Sequence, residues 1–147
     1  MKKPILIPPP IVFILCALLM KCLPPLFILP VPRSFSLLLA TFGGLLGLLA
    51  AWQFRQYKTT ISPVELAKSS FLVTNGIFAL SRNPMYLSLL IVLLSWAFYL
   101  ASTSALLGVA ILFAYLNYWQ IPAEEKALQS QFGADYLAYC QRVRRWL

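Results

Sequence analysis

Four apolar runs, at positions 10–23, 35–54, 85–100 and 105–121, dominate this sequence and constrain its fold more than any other feature. The third, MYLSLLIVLLSWAFYL, carries no charge. Runs of this length and composition are what a lipid bilayer selects, because a helix satisfies its own backbone groups and turns apolar side chains outward. Only 11% of the 147 residues are charged, against roughly 25% in an ordinary soluble domain. The mean hydropathy is +0.79. One soluble core of this size could not hide so much apolar side chain, so the fold class expected is an all-α integral membrane protein.

The breaks between the runs support four transmembrane helices. Pro24, Pro25, Pro30 and Pro32 end any helix after the first run. Ser102, Thr103 and Ser104 form a turn between the third and fourth, which predicts an antiparallel hairpin of the last two spans. In the second run, Gly43, Gly44 and Gly47 make a face that another helix can approach closely. The N-terminal stretch looks like a signal peptide, with Lys2 and Lys3 before the apolar run. No small-residue cleavage site follows, and Leu15 before Cys16 does not suit lipoprotein processing, so the run is expected to remain as the first span.

The formal charge is +8, and its distribution sets orientation rather than nucleic-acid binding. Lys2, Lys3, Arg55, Lys58, Lys68, Arg82, Lys126, Arg142, Arg144 and Arg145, ten of the twelve cations, fall on one side of the predicted spans. Arg33 lies on the other side, and Lys21 can snorkel there. Both termini and the 55–83 loop are therefore expected in the cytoplasm. All four acids, Glu65, Glu124, Glu125 and Asp135, occur in the same cytoplasmic segments. There is no histidine, and Cys16, Cys22 and Cys140 form no metal-type pair, so no metal site is expected.

The polar residues converge in the hairpin. Arg82 precedes Thr103 by 21 residues and Glu124 follows it by 21, so antiparallel helices bring both to a similar depth. Adjacent helix axes lie roughly 8–10 Å apart, which arginine and glutamate side chains can bridge. Each feature also has a plain structural reading. Arg82 can be a topology anchor, Asn83-Pro84 a helix start, Tyr86 an interface aromatic and Glu124-Glu125 acids favoured by a helix dipole after Pro122. Gly133 is expected to end that helix. Tyr136, Tyr139, Cys140 and Val143 then recur at helical spacing, opposite Arg142 and Arg144, in a short amphipathic cytoplasmic C-terminal helix. An arginine fork beside two acids complements a zwitterionic amino-acid group carried on a nucleoside.

Three stretches carry a family resemblance: VTNGIFALSRNPMYLS at 73–88, the pair Glu124-Glu125, and FGADYLAYCQRVRRW at 132–146. Together, and with KTTISP at 58–63, the chain from about residue 35 onward resembles the isoprenylcysteine carboxyl methyltransferase family and the related phospholipid methyltransferases, in a small bacterial form. The family often has histidine at the position of Asn83 and glycine at that of Ser88. The resemblance implies one membrane-embedded methyltransferase domain over 1–147 and S-adenosyl-L-methionine as methyl donor. It also implies cofactor contacts from Arg82, Asn83, Pro84, Tyr86, Glu124 and Glu125, with Arg82 and Glu125 as the catalytic pair and Thr74–Gly76 shaping the pocket wall. The implied acceptor is lipidic or prenylated, reached from the bilayer and methylated on a carboxylate or an amine, and the implied location is a bacterial inner membrane. A carboxylate nucleophile needs no general base, in keeping with a chain without histidine. Two rival readings are an NADPH-dependent sterol-reductase-like enzyme, against which the two acids argue, and a non-enzymatic membrane scaffold.

Overall fold

The computed structural model describes residues 7–57 and 71–147. Lys2, Lys3, Lys58, Glu65, Lys68 and the 58–63 segment lie outside the described residues. Among the described residues every regular element is helical. They are α1 (Pro9–Cys22), α2 (Arg33–Gln56), a single 3-10 turn (Gly76–Ala79), α3 (Pro84–Tyr99), α4 (Leu106–Tyr115), a π-helical turn (Leu116–Gln120), α5 (Ile121–Phe132) and α6 (Ala134–Arg142). Helices α1 and α3 each begin at a proline-bearing first turn, where the missing N–H has no partner to lose.

Two helices are long and apolar enough to cross a membrane: Arg33–Gln56, and the continuous run Leu106–Phe132 made of α4, the π turn and α5. Helices α1 and α3 are shorter, at 14 and 16 residues. The expected break at Pro122 does not occur. A proline ring inside a regular α-helix collides with the carbonyl four residues back and removes one hydrogen bond. The wider π turn lies immediately before it, and the helix continues to Gly133, whose φ of +50° ends it as expected.

The glycines of α2 account for how closely it meets α3. A methyl at Gly43 would lie 2.9 Å from Ile91 Cγ2 and from Val92 Cγ2, and one at Gly47 would lie 2.8 Å from Ser88 Oγ. Gly44 turns to open space instead. Helix α3 also touches α1 and α4, and around this junction Cys16, Met20, Leu93, Ala97, Leu112, Leu116 and Ile121 form the main buried core. The outer face of α2 remains apolar: Leu38 is 70% exposed and Leu48 69%, as on a helix surrounded by acyl chains rather than water.

The connections gather at two ends. At one, the α1–α2 and α3–α4 links pair with each other, the Leu29 N–H donating to the Ala101 carbonyl at 2.9 Å and the Thr103 N–H to the Phe27 carbonyl at 3.1 Å. At the other lie the entrance of α3, the length of α5, and α6 with the segment after it.

Candidate active site

The N-terminus of α3 is held by the last residues of the chain. The Arg82 N–H donates to the Arg144 carbonyl at 3.0 Å, and the Asn83 side-chain amide donates to the Arg145 carbonyl at 3.0 Å. This clasp fixes where Arg82 leaves the backbone. Its guanidinium then reaches across to α5, where Nη1 stands 3.1 Å from Glu125 Oε1. The same nitrogen lies 2.7 Å from Cys140 Sγ and 3.5 Å from the Tyr136 hydroxyl, both on α6. Arg82 Nε is buried and meets no acceptor among the described residues.

Glu125 has a second cationic partner. Arg145 grips it with two prongs, Nε donating to Oε1 at 3.1 Å and Nη2 to Oε2 at 2.6 Å. Glu124 points elsewhere, since adjacent residues on a helix are rotated by about 100°. Its carboxylate accepts from the Tyr86 hydroxyl and, at 2.6 Å, from the Gln120 amide. Neither donor carries a charge. The two acids thus have different surroundings: Glu125 is matched by two guanidiniums, and Glu124 by neutral donors alone among the described residues.

A cavity of about 490 Å³ opens beside these groups, within the roughly 300–1,000 Å³ usual for a small-molecule site. Its polar end is made by Arg82, Asn83, Tyr86, Glu124 and Glu125, and its walls by Phe54, Phe78, Met85, Leu89, Tyr136 and Tyr139. The six residues singled out from sequence, Arg82, Asn83, Pro84, Tyr86, Glu124 and Glu125, all line it. Ser88 and Gly47 line it side by side, where α2 and α3 come closest. The Thr74–Gly76 segment sits one layer back. It accepts Gln53 at the end of α2, with Gln53 Nε2 donating to the Asn75 carbonyl at 2.6 Å, and so supports Phe78, which forms the wall itself. Tyr139 completes this wall by donating its hydroxyl to the Phe78 carbonyl at 2.6 Å. Burial pushes the Tyr136 and Tyr139 phenols above the ordinary tyrosine range, so both stay neutral donors.

Three participants were not singled out in the sequence: Asn117, Gln120 and Arg145. Asn117 and Gln120 both belong to the π turn. Gln120 is buried against Glu124, and Asn117 Oδ1 accepts from Arg145 Nη1 at 3.2 Å and from the Trp146 indole at 3.2 Å. Their signal was available, because two amide side chains within an otherwise apolar run are costly unless they have partners. Arg145 was concealed among basic neighbours that read as a topology signal.

This constellation can hold an anion at the Arg82 end and a cation near Glu124, with aromatic walls between them. A protein of Haemophilus influenzae named only "Uncharacterized protein" is 51% identical over 63 residues, which is 43% of this chain and 100% of the relative. No solved structure matches. The profile of the phospholipid methyltransferases matches residues 32–135, a span that takes in α2, α3, α4 and α5 and with them Arg82, Tyr86 and both glutamates. The chain therefore belongs to the phospholipid methyltransferase family, within the isoprenylcysteine carboxyl methyltransferase group.

Proposed function

We propose that this protein is an S-adenosyl-L-methionine-dependent methyltransferase of the membrane, acting on a lipidic acceptor. One observation carries the reading: an arginine with a buried nitrogen that meets no acceptor among the described residues, two carboxylates and an aromatic wall line one cavity. The donor set fits the cofactor's functional groups. Arg82 suits a carboxylate, the Glu124 side suits an ammonium or ribose hydroxyls, and Phe54, Phe78, Tyr136 and Tyr139 suit an adenine ring or a sulfonium. When bound, the cofactor supplies a methyl group on positively charged sulfur.

The protein's own residues align and exclude water. Arg82, anchored by Glu125 and by the C-terminal segment, fixes one end of the ligand. Phe78 and Tyr139, joined by a hydrogen bond, keep the wall closed. With a carboxylate acceptor, a C–O bond would form as the C–S bond broke, the electron pair returning to sulfur. Opposite charges cancel along this path, so an apolar cavity favours it, and no proton needs to move.

A second reading, with an amine acceptor, is favoured by Glu124, whose partners among the described residues are all neutral. The amine nitrogen would form the new C–N bond and shed one proton, for which Glu124 is the carboxylate at hand. In either case the acceptor's head enters the cavity while its tail stays in the lipid. Membership in a methyltransferase family favours both readings over a reductase or a scaffold.

The topology proposed with this function has four crossings, the last two forming a hairpin, with both termini and the cavity facing the cytoplasm of a bacterial inner membrane. Its support is that α1 and α3, though short, each run between the two ends where the connections gather.

The test is incubation of purified protein with methyl-labelled S-adenosyl-L-methionine and total membrane lipid. Label should pass to a lipid, and Arg82→Ala and Glu125→Ala should each lower the rate by about 100-fold or more, the scale expected when a ligand is misplaced by about 1 Å. Full activity in both variants, with insertion intact, would reject the site.

A further inference from the structure

Arg145 is not among the residues that line the cavity, yet it makes the closest contact to Glu125. The charge count around Glu125 is unequal: Arg82 and Arg145 bring two positive charges against one negative. Arg145 takes both carboxylate oxygens with a planar fork, whereas Arg82 reaches Glu125 through Nη1 alone. Arg145 is itself held from two sides. Asn117 of the π turn accepts from its Nη1 at 3.2 Å, and its carbonyl accepts from the Asn83 amide at 3.0 Å.

This arrangement has a consequence for Arg82. Paired with Glu125 alone, Arg82 would form a neutral couple with little pull on an anion. With Arg145 neutralising Glu125, the positive charge of Arg82 is left over, and its Nε is buried without an acceptor among the described residues. A buried donor without an acceptor is costly, more so on a charged group, and a ligand carboxylate would relieve that cost.

We propose that Arg145 is a positioning residue for carboxylate recognition: by occupying Glu125 it leaves Arg82 a net positive charge for the amino-acid end of the ligand. This rests on the reading that the cavity takes S-adenosyl-L-methionine, and it adds a distinct expectation. Loss of Arg145 should weaken ligands with a carboxylate and spare those without one.

The experiment measures the affinity of the full chain in detergent for two nucleosides, S-adenosylhomocysteine and decarboxylated S-adenosylmethionine. Arg145→Gln should raise Kd for the first by about tenfold or more, the scale of one charge-assisted hydrogen bond, and for the second by less than about threefold. Arg145→Lys, which keeps the charge, should recover most of the loss. Equal loss of both ligands would mean that Arg145 only supports the fold, and unchanged affinity for both would mean that it does nothing here; either result overturns the proposal. Should wild-type protein bind both nucleosides equally well, the proposal also fails while the methyltransferase reading stands. Should it bind neither, the functional reading falls and takes the proposal with it. If Arg145→Gln does not fold, Asn117→Leu removes the tether but keeps the charge, and the same selective loss is expected of it, smaller in size.

Discussion

The hydroxyl of Tyr86 illustrates how much a single buried donor can decide. It donates to Glu124, and the Gln120 amide also lies within 3.4 Å of it. Replacing Tyr86 with Phe keeps the ring, the packing and the helix but leaves the carboxylate with one fewer donor. Such a group costs about 1–3 kcal/mol when its partner is removed, so the reaction rate should fall by roughly 5- to 150-fold while the fold survives. Steady-state rates on the same labelled-lipid assay check this, with circular dichroism confirming unchanged helicity; an unaltered rate would place Glu124 outside the chemistry. At this scale the sequence was informative where composition made a residue conspicuous. Arg82 and the Glu124-Glu125 pair stood out because the chain has only four acids, and the hairpin spacing put them at one depth. It was silent on which acid faces which partner. That depends on helix rotation, and the rotation is set by a π turn with no clear signature in residue type. Asn117 and Gln120 could be read as amides in need of partners, but the partners themselves, Arg145 and Glu124, could not.

Among the elements, the fourth apolar run departs furthest from what its residues suggested. Pro122 reads as a helix start, yet α4 and α5 form one rod of 27 residues with the π turn inside it. A π turn contains one residue more than the α-helical turn it replaces. Deleting Leu116 should restore a regular helix and rotate everything beyond it by about 100°, carrying Glu124 and Glu125 away from Tyr86 and Arg82. The expected result is a helical, membrane-inserted protein that no longer binds S-adenosylhomocysteine, checked by circular dichroism and titration; retained binding would show that the turn does not set the register of the site. Elsewhere the sequence located the elements well, because a proline marks each start: α1, α2 and α3 all start and stop within two residues of the expected bounds. The small-residue face of α2 was also legible, although only Gly43 and Gly47 meet α3. Gly43→Leu should therefore overpack the α2–α3 contact at Ile91 and Val92 and destabilise the protein by about 1–3 kcal/mol. Gly44→Leu, facing open space, should change Tm little. Thermal unfolding of the two variants in the same detergent separates them.

For the whole molecule, orientation and chemistry have to agree. The cavity lies at the end of the bundle formed by the α3 entrance, α5 and α6, and Arg82, Lys126, Arg142, Arg144 and Arg145 belong to that same end. The opposite end holds the paired loops, with Arg33 lying over the Tyr99 ring at 5.8 Å. An excess of Lys and Arg marks the cytoplasmic side of a membrane protein. The charge bias and the proposed donor, a water-soluble charged nucleoside, both favour the orientation proposed above. The cysteines allow this to be measured without adding any domain. Cys22, exposed at the end of α1, belongs to the loop end, and Cys140, half-buried on α6 beside Arg82, belongs to the cavity end. A membrane-impermeant maleimide applied to intact cells should label Cys22 and spare Cys140, and permeabilisation should make Cys140 reactive. The reverse pattern would place the cavity outside the cell, away from any supply of the donor. The Arg82–Glu125 constellation would then have to serve some other anion.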